Sequence, residues 1–293
     1  MTLTPLTPLG NDNFFVRNIL SSRFEGGTTV RTYHMRYPRY IHAELMTHRV
    51  FSRNARSSRA VPNHKLLREP IVEPLIWGAN QSGMQSAREL EGWRLWVARA
   101  TWHSLARITR LGVRIMGGVG LHKQWSNRPL EWFGSIDVLV TSVYWENFMV
   151  LRNHGAAMPE IDRLARMVGL CRATSEVQML KPGEWHLPYI VPGEEDSYDL
   201  IMKQKLSVAR CARISYVPFE GLPNINGDKA LYKKLMGDIP IHASPSEHQC
   251  TPDTRNGDGA WSQPHLHGNL RGWIQFRKQH ALEFFDEYNP RSY

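Results

Sequence analysis

The densest group of residues that could do chemistry lies between positions 47 and 59. This segment has the sequence Thr-His-Arg-Val-Phe-Ser-Arg-Asn-Ala-Arg-Ser-Ser-Arg. Arginine presents planar pairs of donors that match phosphate oxygens, and serine hydroxyls can complete such a cradle. The segment therefore predicts a site for a phosphorylated ligand with a heterocyclic part. A solvated basic loop is the alternative for any stretch of this composition.

The spacing of this segment, called the signature below, resembles that of the flavin-dependent thymidylate synthases. In that family Arg-His-Arg is followed by seven residues and a serine, and this chain keeps the spacing with threonine in the first place. The matching residues are Thr47, His48, Arg49, Ser52, Asn54, Ser57 and Arg59. Three positions depart from the family pattern, where Thr47 replaces an arginine, Ala55 a glutamate and Ala60 a tyrosine.

The resemblance implies a role for each matching residue. His48, Arg49 and Asn54 would contact the flavin. Ser57 and Arg59 would hold the phosphate and sugar of deoxyuridylate. We also count Glu44, just before the signature, among the substrate-binding candidates.

A second block, residues 140–165, resembles the family's next helical element. The matching residues are Asn147, Phe148, Leu151, Arg152, Glu160 and Ile161. By this match Asn147 would face the flavin and Arg152 the pyrimidine carbonyls, where a guanidinium can stabilise enolate charge. A cation at the end of a helix is the alternative for Arg152. Upstream, Arg128 resembles a family arginine that binds the nucleotide phosphate, and a surface arginine beside a proline turn is its alternative.

A third block follows the signature although in the family it precedes it. Residues 209–216 and 242–248 resemble the A-R-x-A-R-x-S-[YF] and H-x-[ST]-P-x-E-H elements. The resemblance implies a circularly permuted chain, which is tolerated where the original termini lie close together. Ser215, His242, Ser244 and Glu247 would then bind the flavin or the nearby folate, with His242 beside the flavin ring. Exposed histidines or a zinc site are the alternatives for histidines 242, 248, 265 and 267.

The family's reaction transfers a methylene group from methylenetetrahydrofolate to C5 of deoxyuridylate, and FAD, reduced by NADPH, supplies a hydride. The resemblance therefore implies an FAD-dependent methyltransferase that assembles as a homotetramer, with Arg152, Ser57 and His242 as its catalytic residues. A close alternative is the same scaffold acting on another pyrimidine nucleotide, as a deoxycytidylate methylase or hydroxymethylase. An alternative of a different class is a basic nucleic-acid-binding protein, because arginine and tryptophan alternate in residues 93–110 and 271–277.

Composition limits the class of protein. The 293 residues are 42% hydrophobic and 22% charged, as in globular proteins, and the formal net charge of +9 favours anionic ligands. Three cysteines far apart in the chain predict neither a disulfide framework nor a thiolate metal site. We expect a cytoplasmic protein with no secretion signal, no membrane span and no bound metal.

The predicted elements make an α+β domain of the same family type, with a mixed or antiparallel sheet flanked by a long-helix bundle. Residues 28–37 are predicted as a strand and 41–49 as a short helix. Helices are predicted at 88–112, where an apolar stripe indicates a core helix, at 139–152 and after Pro159, and these three are expected to form a helical centre. Further helices are predicted at residues 207–213, 228–236 and 269–279. One domain is expected over residues 1–293, with a possible internal boundary in the loop 181–195 and an irregular, exposed stretch at 251–267.

Overall fold

The computed structural model describes residues 9–11, 13–216, 223–237 and 241–280. Its strands are β1 (Leu9–Asn11), β2 (Phe14–Arg23), β3 (Val30–Pro38), β4 (Ser52–Ala55), β5 (Ser135–Ser142), β6 (Gln178–Met179), β7 (Cys250–Pro252) and β8 (Trp273–Gln275). Its helices are α1 (His42–Met46), α2 (Asn63–Leu66), α3 (Gly92–Gly118), α4 (Lys123–Ser126), α5 (Glu146–Arg152), α6 (Pro159–Thr174), α7 (Leu200–Arg213) and α8 (Ile225–Gly237).

The centre of the fold is a mixed sheet in which the strands lie in the order β1-β2-β3-β5-β4. These neighbours are antiparallel, and β6 adds a short parallel pairing to β2. Strands β7 and β8 form a separate antiparallel pair. Helices and a largely antiparallel sheet together confirm the predicted α+β class. Strand β4, which carries the middle of the signature, is the last strand of this order.

One face of the sheet packs against helices. Alternate side chains of a strand point to opposite faces, so Tyr33 and Met35 of β3 and Val138 of β5 enter the same core. This core also takes in Ile161, Leu164 and Val168 from one side of α6, together with buried residues of α1 and α5. A single apolar side of α6 thus fixes that helix on the sheet.

The opposite face of the sheet is covered by the later part of the chain. Leu139 of β5 packs with Tyr189, Cys211 and Ile214, which brings α7 onto this face. Val30 packs with Cys250, Leu270 and Trp273, which brings the β7–β8 pair beside it. The residues that follow the signature in the chain therefore lie over the strands next to it.

A buried polar row runs between these two apolar clusters. The Thr32 and Thr141 hydroxyls lie 2.6 Å apart, and Thr32 is also hydrogen-bonded with His186 at 2.8 Å. Thr141 bonds in turn with Nδ1 of His248 at 2.8 Å. Burial lowers the pKa of both histidines to about 3, so both are neutral near pH 7.

Several helix predictions are wrong. Residues 135–142 form β5 and only 146–152 form a helix, so the predicted helix at 139–152 is half strand. The predicted helix at 269–279 is replaced by β8 and a 3₁₀ turn, because Gly272 adopts a φ of +88° that a right-handed helix excludes. The expected helical centre is instead a sheet with helices on its faces. The stretch 251–267, expected to be exposed, includes the buried Asp253 and His267.

Helix α3 differs most from its prediction. The predicted apolar stripe is exposed, with Trp93 at 72%, Ile108 at 66% and Leu111 at 55% relative exposure, whereas Ala106 and Val113 on the other side are buried. Within the described residues α3 packs against α2, α4 and the 3₁₀ segment Arg128–Phe133, all short elements. It is therefore not a core helix of the single chain, and no bundle of long helices surrounds it there.

The remaining helix predictions are confirmed, since α6, α7 and α8 contain the predicted runs. The strand predicted at 28–37 is β3, and the short helix predicted at 41–49 is α1. None of the helices in the described ranges is long and apolar enough to cross a bilayer.

Candidate active site

The signature runs along the edge of the sheet and turns away at both ends. It enters from α1 through a turn, forms β4, and leaves after Ala55 into a strap of residues 56–91 that is irregular apart from the single turn of α2. Asn54 pairs with Leu139 across the ladder and is 6% exposed. Arg49 and Arg59, at the two ends, are exposed.

Residues from distant parts of the chain meet beside β4 in a cleft of about 270 Å³. The cleft is lined by Arg53, Asn54, Ala55, Ala212, Ser215, Tyr216, Leu231, Leu235, His242, Ser244 and Pro245. The backbone N–H of Ser57 donates to the carbonyl oxygen of Ser215 at 3.0 Å, which ties the signature to the end of α7. Four of the predicted cofactor-site residues, namely Asn54, Ser215, His242 and Ser244, thus share one cleft.

Glu247 lies next to this cleft but does not line it. Its carboxylate is paired with Arg277 in a very short contact, and its carbonyl oxygen accepts from the Gln275 side chain at 3.0 Å. The same amide group of Gln275 lies 3.4 Å from the Ser52 hydroxyl, to which Asn269 also donates at 3.0 Å. Gln275 and Asn269 therefore join β8 to the signature. Sequence reasoning missed both because it predicted a helix there.

A second group of predicted residues surrounds the guanidinium of Arg152. Its Nε donates to Nε2 of His48 at 3.1 Å, and Nη2 donates to the Thr47 hydroxyl at 3.1 Å. Nη1 lies 3.4 Å from a carboxylate oxygen of Glu44. Arg152 is thus held by three side chains of α1 and the start of the signature, and is about four-fifths buried at 21% exposure.

His48 is neutral in this arrangement, because Nε2 accepts from an arginine. Burial lowers its pKa, and the charge of Arg152 lowers it further, while a hydrogen bond with the exposed Asn147 opposes the shift. An accepting Nε2 leaves the proton on Nδ1. The predicted residues Glu44, His48, Asn147 and Arg152 therefore form one group, separate from the cleft beside β4.

The residues predicted to bind the phosphate lie only partly together in the structure. Arg128 is half exposed and pairs with Glu131 at 3.0 Å. The neighbour of Ser57, Ser58, donates its hydroxyl to the same Glu131 oxygen at 2.5 Å. Arg59, at the start of the strap, is exposed. Glu131 and Ser58 were not singled out in the sequence, and no local pattern marks them.

The cysteines do not provide a nucleophile in the described structure. All three are buried, and burial raises the pKa of Cys211 and of Cys250 above the ordinary value of a thiol. A thiol with a raised pKa is a poor nucleophile near neutral pH. Among the described residues no cluster of three or more histidine, cysteine or acidic side chains could hold a metal ion.

Of three comparisons with known proteins, only the comparison with solved structures finds matches. No protein-family model matches the chain, and no curated protein matches it. A UMP/dUMP methylase, PolB from Streptomyces cacaoi, solved with 5-Br UMP, shares 16% identity at a TM-score of 0.42, over 58% of this chain and 91% of that one. The same enzyme with 5-Br dUMP matches at 16% identity and a TM-score of 0.39, over 52% of this chain and 67% of that chain.

The structure of ThyX from Helicobacter pylori with FAD and dUMP matches at 16% identity and a TM-score of 0.34, over 48% of this chain and 65% of that one. At 16% identity and TM-scores below 0.5, these similarities do not assign a function, which has to be inferred from the residues of this chain.

Proposed function

We propose that this protein is an FAD-dependent enzyme that methylates deoxyuridylate at C5, with methylenetetrahydrofolate as the one-carbon donor and NADPH as the reductant. The observation that carries the proposal is the cleft beside β4. Asn54 comes from the signature, whereas Ser215, His242 and Ser244 come from segments far along the chain. Their meeting in one cleft agrees with the roles that the sequence resemblance gives them independently.

The donors of the cleft suit a flavin. The Asn54 amide and the hydroxyls of Ser215 and Ser244 can bond with the polar edge of a heterocycle, and His242 can lie beside its ring. The volume of about 270 Å³ is near the lower end of ligand pockets, roughly 300–1,000 Å³, so it would hold part of a dinucleotide. A bound flavin would supply the hydride that completes the methyl group.

Arg152 would act on the pyrimidine. Its guanidinium is held in place by Glu44, Thr47 and His48. A fixed cation aimed at the pyrimidine carbonyls would stabilise the negative charge that develops on the base in the transition state. Ser57, Arg59 and Arg128 are proposed to bind the phosphate.

We propose that the enzyme is a homotetramer and that the exposed side of α3 is one of its contacts. The stripe of Trp93, Val97, Ile108, Leu111 and Ile115 is 41–72% exposed along a helix of about 40 Å. An apolar stripe of this length supplies several hundred Å², which approaches the roughly 800 Å² per partner of a stable interface. A second copy packed on this stripe would place two long helices side by side and cover their apolar residues.

We further propose that the chain is circularly permuted relative to the family. Residues 209–216 and 242–248 follow the signature in sequence, yet they pack directly against β4. In that position they can serve the same site in a different chain order.

Deoxycytidylate is the second candidate substrate, and the position of Glu44 favours it. A carboxylate 3.4 Å from Arg152 could accept from the 4-amino group of cytosine, whereas it would repel the 4-carbonyl oxygen of uracil. Methylation or hydroxymethylation of deoxycytidylate would then replace thymidylate synthesis on the same scaffold.

The experiment that tests the function measures tritium release from C5-labelled deoxyuridylate and deoxycytidylate. The full-length protein is supplied with methylenetetrahydrofolate and NADPH, and its visible absorbance spectrum is recorded as purified. We expect a flavin spectrum and release from deoxyuridylate. Asn54→Ala should lower the bound flavin, whereas Asn153→Ala, at an exposed asparagine after α5, should leave it unchanged.

Release from deoxycytidylate alone would select the second candidate. A colourless protein that ignores both nucleotides but shifts oligonucleotides with a steep salt dependence would overturn the enzymatic proposal in favour of nucleic-acid binding.

A further inference from the structure

A small cavity separate from the cleft lies under the strap, between β5 and α3. Its polar walls include Arg39, Arg56, Ser58, Glu69, Arg110 and Glu131. Its volume of about 30 Å³ is enough for a water molecule, which needs roughly 10–15 Å³. A tetrahedral oxyanion would need one of the walls to move.

Three donors converge on a single oxygen of Glu131, two of them from the cavity wall and the third, Arg128, from outside it. Ser58 donates to Oε1 at 2.5 Å, Arg128 donates at 3.0 Å, and Nη2 of Arg39 lies 3.0 Å from the same atom. Two guanidiniums and a hydroxyl around one oxygen form the donor arrangement that proteins use for phosphate. The Glu131 side chain is 24% exposed, so it can swing toward solvent.

A second carboxylate from the strap enters the same cavity. Glu69 pairs with Arg56 in a very short contact, and its backbone carbonyl accepts from Arg110. Burial lowers the pKa of Arg110, and neighbouring Arg114 lowers it further. The nearby Glu69 carboxylate opposes this shift, but among the described residues Arg110 contacts Glu69 through the backbone carbonyl and forms no ion pair with its carboxylate.

The charges around the cavity do not balance. Three guanidiniums of the lining, those of Arg39, Arg56 and Arg110, face the two carboxylates of Glu69 and Glu131, which leaves an excess of one positive charge. Asp137 also reaches Arg56 at 3.8 Å, but Arg36 binds both of its oxygens at 2.9 Å and balances its charge. A phosphate monoanion would cancel the excess.

Two buried polar atoms of the lining also favour an anionic ligand. Nε of Arg56 and Oδ1 of Asn127 are buried and have no hydrogen-bond partner in the described structure. Asn127 is 0% exposed, and its amide nitrogen is already used by the carbonyl oxygens of Ser58 and Val61. A donor and an acceptor left without partners suit a phosphate that carries both free oxygens and a hydroxyl.

We propose that this cavity is an oxyanion site for a phosphate group, and that Glu131 occupies the position of a phosphate oxygen until the ligand displaces it. Arg39, Arg56, Arg110 and Ser58 would hold the phosphate. The proposal is independent of the catalytic function, because it requires neither a flavin nor a pyrimidine.

The test measures the binding of inorganic phosphate to the full-length protein by isothermal titration calorimetry, at constant ionic strength set with chloride. Arg110→Gln should weaken binding by at least about tenfold, since a charge-assisted hydrogen bond is lost. Glu131→Gln should tighten binding by about tenfold, because it removes the competing charge. Arg166→Gln, in an exposed ion pair on α6, should change affinity by less than about twofold.

A misfolded variant would not bind phosphate more tightly. The Glu131→Gln measurement therefore still tests the proposal if Arg110→Gln proves unstable. Deoxyuridylate and deoxyuridine distinguish the source of the phosphate. Variant-dependent binding of inorganic phosphate identifies a free phosphate, and variant-dependent binding of deoxyuridylate alone identifies a phosphate ester. Equal affinity of all three variants for both anions, or the absence of binding, overturns the proposal.

Discussion

Nε of Arg152 donates to Nε2 of His48 across 3.1 Å, which joins the end of α5 to the start of the signature. The pair depends on a neutral imidazole, and burial together with the Arg152 charge lowers the pKa of His48 and keeps it neutral. Thr47 and Glu44 complete the contacts of the guanidinium. The structure thus fixes the direction of the one buried cation that the family resemblance assigns to the pyrimidine.

Replacing Arg152 should separate catalysis from folding. Arg152→Gln removes the fixed positive charge, and we expect the rate of tritium release to fall by on the order of a hundredfold or more, as when a fixed donor to a developing anion is lost. The bound flavin should stay unchanged. Arg172→Gln, an arginine of α6 paired with Glu146 on the surface, is the matched control. A rate within about threefold of the natural protein would remove Arg152 from the mechanism.

The buried histidines predict how stability depends on pH. His186 and His248 have a pKa of about 3 in the folded chain and near 6.5 when unfolded. Above 6.5 both are neutral in either state. As the pH falls from 6.5 toward 3, the unfolded chain takes up protons that the folded chain excludes, so the free energy of unfolding should fall. The slope should approach 1.4 kcal/mol per pH unit for each histidine.

Urea unfolding at several pH values between 7 and 4 measures this slope. His186→Gln should reduce it by about the contribution of one histidine, whereas His265→Gln, at an exposed position, should leave it unchanged. An equal slope in His186→Gln and the natural protein would show that this histidine is not responsible.

Arg210 should be the most costly arginine to remove. It is fully buried, binds Glu194 and Asp228, and donates to the carbonyl oxygen of Tyr189. Arg210→Met leaves the Glu194 carboxylate without its cation and Asp228 with Arg213 alone, and we expect a loss of about 3–5 kcal/mol in the free energy of unfolding. The exposed Arg166→Met should leave the free energy of unfolding nearly unchanged. Chemical denaturation of both variants compares the two values, and equal losses would contradict a structural role for the buried cluster.

The exposed side of α3 should control the oligomeric state. Ile108→Glu places a charge in the centre of the stripe, and we expect the mass measured by light scattering to fall toward that of one chain. The helix content from circular dichroism should remain. Arg166→Glu, on an exposed part of α6, should keep the mass of the natural protein. An unchanged mass in Ile108→Glu would place the subunit contacts elsewhere.

Local patterns predicted the helices that carry a single apolar side. In α6, Ile161, Leu164 and Val168 recur at helical spacing and are buried on one core, so period and packing agree. In α3 the helical spacing of the apolar residues was identified correctly. The sequence did not show that these residues stay exposed in the single chain. Periodicity shows which residues share a side of a helix, and it does not show whether the same chain covers that side.

The error at 139–152 has a different cause. Strand β5 is buried on both faces, so it lacks the alternation of apolar and polar residues that marks a half-buried strand. A short continuous apolar run is then ambiguous between strand and helix. The order of strands in the sheet could not be predicted at all from such local signals.

The sequence predicted many of the residues of the candidate site, but only partly which of them lie close together. The motifs identified Asn54, Ser215, His242 and Ser244, which the structure places in one cleft. The contact of Ser58 with Glu131 was missed, because it depends on the path of the strap over the sheet and on no periodic feature. The assignments of individual ligand contacts stay predictions.

The exposed apolar side of α3 also has a consequence for how the protein would behave across a range of concentrations. If copies associate through this helix and each site draws residues from more than one of them, dilution separates catalytic groups from one another. Turnover per chain should then rise with protein concentration and level off once assembly is complete, so expression level itself would set how much of the chain is catalytically competent.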